Sequence, residues 1–161
     1  MKISLVTDIG QKRSNNQDFI NKFDNKKGIT LVILADGMGG HRAGNIASEM
    51  TVTDLGREWI NTDYTELSQI RDWLLVTLEA ENRKVYELGQ TDEYKGMGTT
   101  VEALAIVDNN VIGTAIVIAV SERTMFLRAD WLERVLHLSI YLVCVGCATA
   151  VCALSLSIAE G

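Results

Sequence analysis

The sequence contains no proline. No fixed-φ residue therefore interrupts a helix or marks an interdomain linker. Cysteine is scarce, and all three copies (Cys144, Cys147, Cys152) fall near the C-terminus. Cys144 and Cys147 stand at CxxC spacing, but no helix-opening context makes them a redox pair. No second pair completes a zinc site either. Basic charge is also short. With 15 Lys and Arg against 21 Asp and Glu, the net charge is −6. No basic stripe stands out, so no nucleic acid is expected as a partner. The N-terminus offers only a brief apolar run, Ile3 to Val6, too short for the apolar region of a secretory signal. The front of the chain is expected to be cytoplasmic.

What is present suits one globular domain. The chain has 161 residues, 47% of them hydrophobic, within the usual length of a single core. The composition shifts near the end. Residues 135–159, "VLHLSIYLVCVGCATAVCALSLSIA", carry no Asp, Glu, Lys or Arg.

Periodicity divides the chain into elements. "KISLVTDIG" predicts a strand that stops at Gly10, and "DFINKFDNKKG" a strand followed by a turn from Asn25 to Gly28. "GITLVILADG" is a continuous β-branched and leucine run, the pattern of a buried central strand. From Ala43 to about Ile60 the period becomes helical, with Ile46, Met50, Leu55 and Trp59 on one side. A second helix is predicted from about Glu66 to Leu88, its stripe broken only by Glu81, with Gly89 as its stop. A strand from about Thr99 to Val107, a turn at Asp108-Asn109-Asn110 and a return strand "VIGTAIVIAV" follow. Strands, two long helices, then strands again predict an α+β fold rather than a doubly wound sheet.

"LVILADGMGGHRAGNIAS", residues 31–48, carries the chemistry. A dinucleotide fingerprint would need a third glycine where Arg42 stands. A P-loop would need Lys-Ser/Thr where His41-Arg42 stands. A metal site needs less. Asp36 ends a rigid strand, and the carbonyl of Gly37 is unobstructed by a side chain. Carboxylate, carbonyl and water together suit Mg²⁺ or Mn²⁺. A plain turn at a strand end is the competing reading. The segment "TDIGQKRSNNQDF" adds Asp8, Arg13, Asn16 and Asp18. Arginine supplies a planar donor fork for phosphate, and Asp18 a second hard ligand.

Taken together, "TDIGQKRSNNQD", "VILADGMGGHRAGNIAS" and "GMGTT" resemble the metal-dependent protein phosphatase 2C (PPM) family, in particular its small bacterial Ser/Thr phosphatases. The resemblance covers about residues 1–115. It implies a β-sandwich flanked by helix pairs, and hydrolysis of phosphoserine and phosphothreonine with two Mn²⁺ or Mg²⁺ ions. By the same resemblance Asp36 bridges the metals, Gly37 gives a carbonyl ligand, and Asp18 joins the metal shell through water. Arg13 clamps the substrate phosphate, and His41 is the candidate general acid. Thr99 and Thr100 are expected to pack. Phosphoproteins and a cognate Ser/Thr kinase are the implied partners.

Beyond residue 116 the family pattern stops. Ala119 or Val120 stands where a family His-x-Gly-Asp-Ser-Arg run places its aspartate. The later metal aspartates are not found, and Asp130 in "RADWLER" matches none of them. The 161-residue chain is accordingly expected to be inactive. Two accounts of its end compete. In one, residues 135–159 form a membrane-spanning helix preceded by Arg128 and Arg134. In the other, the reading frame was lost near residue 116, leaving a non-catalytic remnant.

Overall fold

The computed structural model describes residues 2–9, 15–39, 43–118, 125–127, 133–134, 140–143 and 151–157. Its central element is strand β3 (Thr30–Met38), in which every residue from Leu31 to Gly37 is buried. An unbroken apolar run is stable in that position because both faces and both edges of the strand are covered. Preceding it in the chain are β1 (Lys2–Asp8) and β2 (Asp18–Asp24); following it are α1 (Ala43–Trp59), α2 (Leu67–Leu88), β4 (Gly98–Val107) and β5 (Asn110–Ile118). The strands β2, β3, β4 and β5 lie side by side in that order, all antiparallel. Short strands β6 (Met125–Leu127) and β7 (Glu133–Arg134) pair with β5.

Strand alternation divides the sheet into two faces. Leu31, Ile33, Ala35, Val101, Ala103 and Ala105 point toward the helices and join Leu55, Trp59, Ile70, Leu74 and Leu78 in the main core. Val32 and Ile106 point the other way and pack against Ile3 and Leu5 of β1. The arrangement is thus α+β, with a helix pair on one face of the large sheet and a second sheet on the other.

The helix faces differ in part from the sequence pattern. Leu55 and Trp59 are buried as expected, but Ile46 and Met50 sit only at the core's margin. Instead α1 buries Ala43, Gly44, Ala47, Ser48 and Thr51. Small residues let the helix approach the sheet closely, and hydrophobicity alone does not reveal that demand. At Gly56 an added Cβ would stand 2.1 Å from the Phe23 ring. Trp59 spans the core and donates from Nε1 to the Ile29 carbonyl at 3.1 Å. In α2, Ile70, Leu74, Leu78 and Val85 form the expected stripe, and Glu81 is buried within it. Gly89 ends this helix in a right-handed conformation (φ −66), donating to the Val85 carbonyl. The β4–β5 turn is two residues long, Asp108 and Asn109, between the partners Val107 and Asn110. Asp108 takes φ 53, a left-handed value that Asp tolerates better than bulkier residues.

The helix expected over 135–159 is not what the described residues form. They build β8 (Ile140–Val143) and β9 (Val151–Ser157). Strand β9 runs antiparallel to β1 over its whole length, from Lys2↔Ser157 to Asp8↔Val151, and β8 pairs with β9. The backbone donors and acceptors of β1 need a neighbour, which a helix cannot provide. Among the described residues no helix is long and apolar enough to cross a membrane.

Candidate metal centre

Asp18 opens β2 and Asp36 lies near the end of β3, and the register sets them opposite each other. Directly opposed residues of an antiparallel pair share a sheet face, with Cβ atoms about 5 Å apart. Alternation puts both carboxylates on the face of Val32, turned toward β1. Both are largely withdrawn from water, at 6% and 7% exposure. Like charges opposed in this way destabilise a ladder, and burial strengthens the repulsion. A hard divalent cation held by both carboxylates would offset it.

The backbone around the pair is closely braced. The Asp18 N–H donates to Asn16 Oδ1 at 3.0 Å, and Asn16 Nδ2 donates to Thr7 Oγ1 at 2.9 Å, tying the start of β2 to β1. The Gly37 N–H donates to the Gln17 carbonyl at 2.9 Å. Ser48 Oγ donates to the same carbonyl at 2.7 Å, bringing α1 into the network. A Cβ at Gly37 would lie 2.1 Å from the Gly44 carbonyl oxygen. Glycine is therefore required at 37 by the docking of α1 against the strand end, a reason separate from any approach of its carbonyl to an ion. Gly39 takes φ +133, which L side chains rarely adopt.

Two residues expected only to pack also reach the site. The Asp36 N–H donates to Thr100 Oγ1 at 3.1 Å, and the Asp36 carbonyl accepts from Thr99 Oγ1 at 3.0 Å. Sequence reasoning missed a further nearby carboxylate, Glu102, which shares the face of Asp36 by alternation and pairs with Leu34. Its Oε2 is buried without a hydrogen-bond partner, and burial pushes its pKa up. Among the described residues no group of three or more His, Cys, Asp or Glu converges on one point. Glu102 therefore stands beside the pair without joining it. Arg13 and His41 lie outside the described residues.

In kind, two buried carboxylates fit Mn²⁺ or Mg²⁺. In number they suit one ion better than two. Over 112 residues the chain is 80% identical to a putative protein phosphatase 2C-type protein of Streptococcus pyogenes. Those residues, 70% of the chain, belong to the protein phosphatase 2C family. Protein phosphatase PhpP of Streptococcus pneumoniae is 59% identical over the same length. The chain spans 46% of each of these curated relatives. No family-wide sequence profile matches it.

Solved structures agree with the phosphatase 2C assignment. The Streptococcus agalactiae serine/threonine phosphatase superposes with a TM-score of 0.71 at 72% identity, over 71% of this chain and 48% of that one. The catalytic domain of the phosphatase PstP, solved in complex with two manganese ions, gives a TM-score of 0.58 at 28% identity over 71% of this chain and 47% of that one. The phosphatase relatives align over 112 to 114 residues, 70% of this chain.

Proposed function

We propose that this chain carries the first part of a phosphoprotein Ser/Thr phosphatase centre dependent on Mn²⁺ or Mg²⁺. The observation that supports it most is the buried pair Asp18 and Asp36, opposed across the β2–β3 ladder. When bound, the metal supplies Lewis-acid stabilisation and an activated water. Asp36 and Asp18 hold the ion, with the Gly37 carbonyl beside them. Arg13 orients the substrate phosphate through its planar fork. His41 donates a proton to the departing serine or threonine oxygen. The substrates are phosphoproteins made by a Ser/Thr kinase.

The pair supplies two carboxylates, whereas two divalent ions need more negative ligands than that. For the 161-residue chain we therefore expect Mn²⁺ binding without efficient turnover. The test is Mn²⁺-dependent release of phosphate from a phosphothreonine peptide, comparing the chain with Asp36→Ala. Rates equal to the Asp36→Ala background are expected. Multiple turnovers that vanish in Asp36→Ala would show a complete catalytic centre instead.

A further inference from the structure

We propose that the hydroxyls of Thr99 and Thr100 are a positioning device for the Asp36 carboxylate, an inference that rests on the metal reading above. The β3–β4 ladder keeps its register from Thr30↔Ile106 to Leu34↔Glu102 and again at Gly37↔Thr99 and Met38↔Gly98. Between these stretches lies Asp36. Its N–H and its carbonyl both point toward β4, as those of one antiparallel residue do. Side-chain hydroxyls meet them there: Thr100 Oγ1 accepts from the N–H at 3.1 Å, and Thr99 Oγ1 lies 3.0 Å from the carbonyl oxygen. The single Thr99 proton is shared with the Thr100 carbonyl at 2.8 Å.

The other edge of the strand is also fixed. The next residue, Gly37, turns its N–H toward β2 and donates to the Gln17 carbonyl. The peptide units on both sides of Asp36 are thus held, one from β4 and one from the β2 side. Only the two side-chain torsions of Asp36 remain to be set. A metal ligand has to be placed within about 0.5 Å of its productive position, and supporting hydrogen bonds achieve this. Losing such a supporting bond commonly weakens metal affinity about 10- to 100-fold. Packing alone does not require oxygen at either position. Valine has the shape of threonine and would fill the space equally well.

The experiment follows the free Mn²⁺ signal by electron paramagnetic resonance in titrations of the chain, with Mn²⁺ alone as the probe. Thr100→Val should weaken binding about 10- to 100-fold, whereas Thr100→Ser, which keeps the hydroxyl, should stay within about threefold of the parent. Thr77→Val, a buried threonine substitution on α2, should leave affinity unchanged. Amide exchange gives a readout independent of metal. The Asp36 N–H should exchange at least about tenfold faster in Thr100→Val, with core amides of β3 unchanged. If Thr100→Val binds Mn²⁺ like the parent while Asp36→Asn does not, the positioning role is wrong and the metal reading stands. An Asp36 amide as protected in Thr100→Val as in the parent overturns the positioning role too. If the parent itself does not deplete free Mn²⁺, the metal reading fails and this inference with it.

Discussion

Asp18 and Asp36 face each other across the β2–β3 ladder on the sheet face that packs against β1. Far apart in the sequence, they meet because the turn after Asp24 reverses the chain with a fixed register. Asn25 sets that turn: its Oδ1 accepts from the N–H groups of both Lys27 and Ile29. The hairpin thus turns two separate sequence motifs into one pair of opposed carboxylates.

A metal dependence of stability follows from this pairing. A cation that binds only the folded chain raises stability by RT ln(1 + [L]/Kd), about 2.7 kcal/mol at a hundredfold excess over Kd. Thermal unfolding should shift upward with added Mn²⁺ and return to its starting midpoint with EDTA. In Asp36→Asn and Asp18→Asn the shift should be lost or much reduced. An equal Mn²⁺ response in parent and both variants would place the cation elsewhere.

Gly37 and Gly56 should respond differently to alanine. At Gly37 the new methyl would meet a backbone oxygen, Gly44 O at 2.1 Å, in a helix terminus that cannot move without undocking. At Gly56 it would meet the Phe23 ring, a side chain at the core's margin that can rotate or shift. Overpacking generally costs about 1–3 kcal/mol. Gly56→Ala should fall in that range with Mn²⁺ affinity retained. Gly37→Ala should cost at least as much and lose Mn²⁺ binding as well. Urea unfolding with parallel Mn²⁺ titration checks both.

The elements themselves were largely legible in the sequence. The run Leu31 to Ala35 announced a central strand, and the stripe from Ile70 to Val85 announced α2. The strand end at Asp36-Gly37 was legible as an apolar run that stops at an Asp-Gly pair, whereas the opposition of Asp18 to Asp36 comes from the β2–β3 register, which the sequence does not state. The close docking of α1 was not legible, since Ala47 and Thr51 carry little hydrophobic signal and matter for their size. The hydrogen bonds of Thr99 and Thr100 to the Asp36 backbone were also hidden. They depend on where two strands separate, and composition does not reveal that. The strand β9 is not distinguished from a helix by sequence because a charge-free run fits a strand as well as a long helix.

The indole of Trp59 is another independent test. Its Nε1 donates to Ile29, and its ring lies 5.0 Å from that of Trp73, between centroids. Trp59→Phe removes the donor, leaving the Ile29 carbonyl short of one partner, and opens space beside it. A combined loss of about 2–4 kcal/mol is expected. Chemical denaturation measures it, and a loss under about 1 kcal/mol would mean that the site repacks.

Glu81 makes stability depend on pH in a direction that can be worked out. It is 7% exposed, and its Oε1 has no hydrogen-bond partner. Burial is the main cause that pushes its pKa from 4.5 to about 7; Lys84, 3.8 Å away, pulls it down, while Asp54 and Glu58 push it further up. The folded state therefore binds this proton more tightly than the unfolded chain. The resulting stabilisation is fully present below pH 4.5 and is lost as pH rises through about 7. A rise from 4.5 to about 7 is roughly 2.5 units, so the effect is on the order of 3 kcal/mol. Glu81→Gln keeps the shape and removes the titration. Lys84 retains its bond to Asp54 in that variant. Taking the difference between parent and variant cancels every other carboxylate. At pH 5 the two should have similar stability, and at pH 8 the variant should be the more stable by up to a few kcal/mol. A difference that does not change between pH 5 and 8 would show that the Glu81 carboxylate is solvated in the folded protein.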